Sequence, residues 1–313
     1  MNTFEQICKM TQPEVKKYME DYLSANNYDV DNVDGYLYAE PKYDRVPVLL
    51  VAHMDTVHKE VCREIINNNG KLSSPQGIGG DDRCGVYMIM NVIKELHCPV
   101  LLTEDEEVGC IGAHMFAKSE YIADLGVNYM IEFDRRGSND AVFYSCDNKN
   151  FKAFVEENSP LKEVQGSYSD ISVLMSAAKL AGVNISCGYY NAHTRDEYVI
   201  FDEMVAIIEI AKKLIKVNID EPFEYVAKTY ASSFGGYGRD YRQYSLFDRD
   251  YSLKHKNIPE DSLDLELEVV WNDINGKEQV EICTGRTKAE CWFDFFMENP
   301  EVSFSMVTDY SWA

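Results

Sequence analysis

Apolar residues along this chain follow two spacings in turn. Val46 to Ala52 is a near-continuous apolar run, the pattern of a strand covered on both faces. Val100-Leu101-Leu102-Thr103, Tyr129 to Phe133, Ala141 to Tyr144 and Val183 to Cys187 are shorter runs of the same kind. Between them the spacing becomes helical: Val86, Met90 and Ile93 mark a helix over 82–96, and further helices are predicted over 112–118, 169–181 and 201–217. Near the start, Val15, Tyr18, Met19, Tyr22 and Leu23 give one apolar face to a surface helix within 4–24, with Thr11 as cap and Pro13 in the first turn. Tyr28-Asp29-Val30 and Gly35 to Ala39 read as short strands around an Asp-Gly turn. Strands alternating with helices predict an α/β fold, a three-layer sandwich around a mostly parallel central sheet.

The pattern changes near residue 218. Tyr230 to Lys254 is rich in tyrosine, glycine, aspartate and arginine and reads as a linker. Leu263 to Trp271 then alternates clearly, and Gly276 marks a turn before Gln279 to Thr284, the signal of a β-hairpin; Lys288 to Phe296 is suited to a helix against it. The expected organisation is a catalytic domain over 1–220, a connector over 221–254 and a small C-terminal α+β appendage over 255–313. Covering a cleft and associating with a second copy are the two roles considered for the appendage, so a homo-oligomer is allowed.

Composition narrows the functional classes. The net charge of −23 opposes binding to nucleic acid or anionic lipid through a general field. There is no run of 18 apolar residues, so no membrane span is expected. The N-terminus lacks the basic-then-apolar order of a secretory signal, and nine scattered cysteines without a Cys-x-x-Cys pair fit buried free thiols; a cytoplasmic protein is expected.

Chemistry gathers where the strands end. His53 and Asp55 follow the buried run two residues apart, so their side chains point the same way and one can orient the other at a metal. Four clusters follow: Gly80-Asp81-Asp82, Thr103 to Gly109 with Glu106 and Glu107, Ile131 to Asp134, and Asn191-Ala192-His193-Thr194. Two histidines and several carboxylates in this order suggest a dinuclear zinc hydrolase. Each residue also has a plainer reading: His53 as a core histidine, Asp81 or Asp82 as a helix cap, Glu104 to Glu107 as a solvated loop, Asp134 as the partner of Arg135 or Arg136 with Glu132 competing for its role. His58, His97, His114 and His255 read as surface or packing residues.

The ordered set over residues 53–193 resembles the zinc exopeptidase superfamily, the M20, M28 and M42 peptidases. His53-Met54-Asp55 is similar to its His-x-Asp motif, Gly80-Asp81-Asp82-Arg83-Cys84-Gly85 to its Gly-x-Asp-Asp/Asn-x-x-Gly motif, and Thr103 to Gly109 to its Glu-Glu-x-Gly motif. The resemblance implies two zinc ions, with cobalt or manganese as alternatives. It implies that Asp81 bridges them, that His53 and Asp134 complete one site and Glu107 and His193 the other, that Asp55 orients His53, and that Glu106 is the general base acting on a metal-bound water. Only 58 residues separate Asp134 from His193, too few for the M20 lid domain, so residues 135–192 are expected to continue the sheet.

The implied activity is cleavage of a terminal peptide bond, most naturally by an aminopeptidase. An M20-like deacylase of N-acyl amino acids, a carboxypeptidase, a dinuclear phosphoesterase and a catalytically silent binding protein are the alternatives. Arg135, Arg136 and Arg195 are candidates to grip a substrate carboxylate, Asp170, Asp196 and Glu197 to receive an amine, and Tyr190 to donate to an oxyanion.

Overall fold

In the computed structural model of the chain, residues 2–228, 265–272, 277–285 and 307–312 are described. The chain divides into two compact units, Met1–Lys228 and Thr229–Ala313. The first begins with α1 (Asn2–Ile7), α2 (Gln12–Ala25), β1 (Tyr28–Val33), β2 (Tyr36–Pro41) and β3 (Val48–His53). There follow β4 (Ile66–Asn68), β5 (Lys71–Ser73), α3 (Gly80–Val92), β6 (Val100–Thr103), α4 (Ile111–Phe116) and, after a single 3-10 turn, β7 (Tyr129–Arg135). Then come β8 (Asp140–Val142), α5 (Lys149–Asn158), β9 (Lys162–Val164), α6 (Asp170–Ala178), β10 (Gly182–Ser186), β11 (Tyr189–Tyr190), β12 (Tyr198–Ile200) and α7 (Phe201–Ile215).

Eight strands form the central sheet in the order β1-β2-β6-β3-β7-β10-β8-β9. The four middle strands β6, β3, β7 and β10 run parallel, and antiparallel pairing appears only toward the edges. Every residue of β3 and β6 is buried, as the unbroken apolar runs predict. Each buried valine or leucine there contributes about 1.5–3 kcal/mol of apolar burial. Helix α3 lies across β3 and β7 with α1 and α7 against it, while α6 lies across β3, β7 and β10 with α4 against it. The sheet is thus the middle layer between two groups of helices. β8, β9 and β10 belong to this same sheet, so residues 135–192 continue it without an inserted domain.

Three differences from the sequence expectation have local causes. The expected helix over 4–24 is two helices, because Thr11 starts a new one: Glu14 Oε2 accepts from the Thr11 backbone N–H at 2.8 Å and its hydroxyl at 2.9 Å, and Pro13 occupies the first turn. A second sheet, β11-β12-β5-β4, was not anticipated; its strands are two or three residues long, too short to show an alternation. The chain also stays on the first unit past residue 220, through bridges from Glu224 to Leu180 and from Ala227 to Cys146.

The second unit shows β13 (Leu265–Asn272), β14 (Glu278–Gly285) and β15 (Val307–Trp312) in the order β14-β13-β15. The β13–β14 pair is the antiparallel hairpin that the alternation predicts, with Val269 and Trp271 buried. The helix expected over 288–296 lies outside the described residues, as does most of the connector. Among the described residues no helix is long and apolar enough to cross a membrane.

Candidate metal centre

Parallel neighbours end side by side, so β3, β6 and β7 deliver the residues at their carboxyl ends to one place. His53 is the last residue of β3, Asp134 lies at the end of β7, and Glu106 and Glu107 follow β6. Asp81 enters from the first turn of α3, and His193 from the loop between β11 and β12.

Asp55 organises this cluster from behind. His53 Nδ1–H donates to Asp55 Oδ1 at 3.1 Å, which turns Nε2 toward Asp81 Oδ1 at 3.2 Å and Asp134 Oδ1 at 3.5 Å. The same carboxylate accepts the backbone N–H groups of Glu106 at 3.1 Å and Glu107 at 3.0 Å, fixing the acidic loop to β3. On the other side His193 Nε2 lies 3.2 Å from Asp81 Oδ2 and 3.0 Å from Glu107 Oε2. The two oxygens of Asp81 therefore face two different imidazoles. The possible ligand atoms fall into overlapping groups: His53 with Asp81 and Asp134, Asp81 with Glu107 and His193, and His53 with Glu106 and Glu107.

Charge follows this crowding. Burial opposes a charge on His53, but Asp55 and the hydrogen bonds to Asp134, Asp55 and Asp81 override it and hold the imidazole well above its usual range. Hydrogen bonds to Asp81 and Glu107 push His193 up to about 10. Burial raises Glu107 to about 7 against the pull of His193, and burial also lifts Glu106 far above an ordinary carboxyl. Asp81 goes the other way: burial is outweighed by hydrogen bonds from His193 and His53.

A divalent metal fits these residues. Donor atoms at about 2.0–2.2 Å around a tetrahedral ion stand roughly 3.3–3.6 Å apart, close to the spacings of 3.0–3.5 Å seen here. Glu107 Oε1 is buried with no hydrogen-bond partner, an open acceptor that a cation would satisfy. Two imidazoles and three carboxylates are a nitrogen and oxygen donor set of the kind that holds zinc.

Several supporting residues carry no sequence signal of their own. Asp134 is held by Ser169 Oγ–H at 2.9 Å, Tyr189 O–H at 3.3 Å and the Asn184 side chain, which accepts the Asp134 backbone N–H at 3.0 Å. Glu132, its competitor, shares that one Ser169 hydroxyl hydrogen at the shorter distance of 2.6 Å and accepts the Ile171 N–H at 3.1 Å, and so anchors the start of α6. Asp82 accepts the Gly85 N–H at 2.8 Å, the cap expected of one of the aspartate pair. The Cys110 thiol donates to Glu106 Oε1 at 3.6 Å.

The substrate candidates are placed differently from the ligand set. Arg135 Nε donates to Asp140 at 3.1 Å, and Tyr190 O–H to Glu203 at 2.5 Å, so each of these groups has a partner within the chain. Asp170 and Glu197 are fully buried, so neither is open to a substrate amine. Arg195 and Asp196 are exposed on the loop after His193, and Arg195 lines a cleft of about 440 Å³ with Val57, Lys59 and Pro75. Sequence spacing places a residue near a site but does not say which neighbour captures its polar atoms.

Residues 32–172 match peptidase family M28. No curated protein matches the chain in sequence. Among solved structures, an aminopeptidase PepT from Bacillus cereus is 14% identical with a TM-score of 0.55, the match covering 68% of this chain and 96% of that one. A tripeptidase from Staphylococcus aureus is 13% identical with a TM-score of 0.56, over 69% and 96%. PhTET1-12s, described as a dodecamer, is 14% identical with a TM-score of 0.51, over 68% and 98%. Their likeness is one of fold. The family match covers the segment that carries the first three motifs, and over it the chain is similar to the M28 peptidases of the zinc exopeptidase superfamily.

Proposed function

We propose that the first unit is a dinuclear zinc aminopeptidase. The observation that carries this reading is the placement of Asp81, whose two carboxylate oxygens each lie 3.2 Å from a different imidazole. His53 and Asp134 would hold one ion, Glu107 and His193 the other, and Asp81 both. When bound, such ions polarise the scissile carbonyl and lower the pKa of an attacking water.

The remaining work falls to the chain. Asp55 keeps His53 in the tautomer that leaves Nε2 free, and through two backbone bonds it sets the position of Glu106. Glu106 is the general base: Oε1 accepts the Cys110 thiol, and Oε2 takes the proton and passes it to the leaving amine. Its burial favours the protonated form without metal, and two nearby cations would counter this.

An amine-end substrate is supported by Arg135 being engaged with Asp140, which removes one group that could grip a carboxylate. It is also in keeping with the aminopeptidase and tripeptidase among the similar folds. The test pairs metal analysis with a short peptide in two blocked forms. N-terminal acetylation is expected to abolish cleavage and C-terminal amidation to leave it intact; the reverse result identifies a carboxypeptidase or deacylase and sinks the aminopeptidase reading.

A further inference from the structure

Glu197 lies four residues beyond His193 and is fully buried, yet it faces no lysine or arginine among its hydrogen-bond partners. A buried carboxylate is costly unless donors surround it. Three do. Its Oε1 accepts the Asp81 backbone N–H at 3.0 Å, and its Oε2 accepts the Gly79 N–H at 2.9 Å and the His58 Nε2–H at 2.8 Å. Its own N–H donates to Thr194 O at 3.2 Å, closing the turn that carries His193. One side chain thus ties the start of α3, which presents Asp81, to the loop that presents His193.

We propose that Glu197 is a positioning residue for the Asp81–Glu107–His193 half of the metal centre, and that His58 at the rim fixes its carboxylate. The inference rests on the dinuclear reading above. The two halves of the centre are not supported equally. His53 and Asp134 stand on adjacent parallel strands, and Asp134 is also held by Ser169, Tyr189 and Asn184. His193 sits on a loop with its side chain 55% exposed, and the link through Glu197 joins that loop to the Asp81 turn. Close packing makes the link specific: a Cβ on Gly80 would come within 2.8 Å of Val199 and 3.4 Å of Glu197 Oε1, and one on Gly77 within 2.2 Å of the His58 ring.

Glu197→Gln keeps the size of the side chain but turns an N–H₂ toward a backbone N–H. His58→Ala removes only the rim donor and leaves both backbone bonds in place. The experiment is a calorimetric zinc titration of the apo full chain and both variants, with bound metal counted by mass spectrometry and fold checked by circular dichroism. In Glu197→Gln the step of the ion assigned to Glu107 and His193 is expected to weaken by at least about tenfold, the scale on which supporting groups act on metal sites, and the other step, which shares Asp81, by a clearly smaller factor. His58→Ala is expected to weaken the same step by a smaller factor. Equal weakening of both steps, or no change in either folded variant, overturns the proposal. If Glu197→Gln does not fold, His58→Ala decides alone, and unchanged steps refute it. A wild type that binds one ion removes the dinuclear reading instead, and Glu197 is then judged by the same tenfold criterion on that ion.

Discussion

Asp81 and Asp82 are chemically identical neighbours with different tasks. Asp82 spends its oxygens on the Gly85 N–H at 2.8 Å and the His53 N–H at 3.3 Å, so it is committed to holding backbone. Asp81 gives both oxygens to imidazoles, and no adjacent group is placed to do the same. Asp81→Ala is therefore expected to lose metal, and elemental analysis that still finds two ions contradicts the bridge. The consecutive glutamates divide in a similar way. Glu106→Gln should keep its metal while turnover falls by about a hundredfold or more, the usual scale of general-base catalysis; near-wild-type turnover removes Glu106 from that role.

At the scale of elements, the centre depends on how closely α3 approaches β7. A Cβ on Gly85 would lie 2.1 Å from Phe133 O and 2.3 Å from Asp82 Oδ2, both inside contact distance. Gly85→Ala must push the helix away from the strand and displace the Asp82 cap, so it is expected to destabilise the fold by about 1–3 kcal/mol or more. The expected readout is a lower urea midpoint together with weaker metal binding, since α3 also carries Asp81. An unchanged midpoint shows that the helix can shift freely. The supporting strands β11 and β12 belong to the same argument: they are minor elements by length, yet they bracket His193 and lead into Glu197.

Across the whole molecule, protonation is expected to compete with the proposed metal uptake. Without metal, His193 is pushed up to about 10 by Asp81 and Glu107, and His53 is raised as well. A folded-state pKa raised above the usual imidazole value contributes stability that is fully present below that value and is lost as pH climbs toward about 10. Metal binding needs the neutral imidazoles, so it releases protons and strengthens as pH rises. The melting-temperature gap between zinc-loaded and chelated protein should therefore widen from slightly acidic to alkaline pH. A gap that narrows over this range refutes protonation of these histidines as the competitor.

Much of this architecture was written in the sequence. Long apolar runs such as Val48 to His53 can be stable only with both faces covered, so the buried parallel strands and the strand ends that carry His53, Glu106, Glu107 and Asp134 follow from local pattern. The motifs even set the order in which the candidate ligands arrive. Tertiary structure alone decided the rest. Two- and three-residue strands have no periodicity to read, so the second sheet was invisible. Polar partners distant in sequence were equally hidden: Glu197 reads as a candidate amine acceptor, and only the fold buries it 3.0 Å from the Asp81 N–H. Arg135 and Tyr190 were equally hidden in this respect: the sequence places them beside candidate ligands, and only the fold pairs them with Asp140 and Glu203. Pattern records which residues must leave water, whereas the pairing of polar groups depends on which segments the packing brings together.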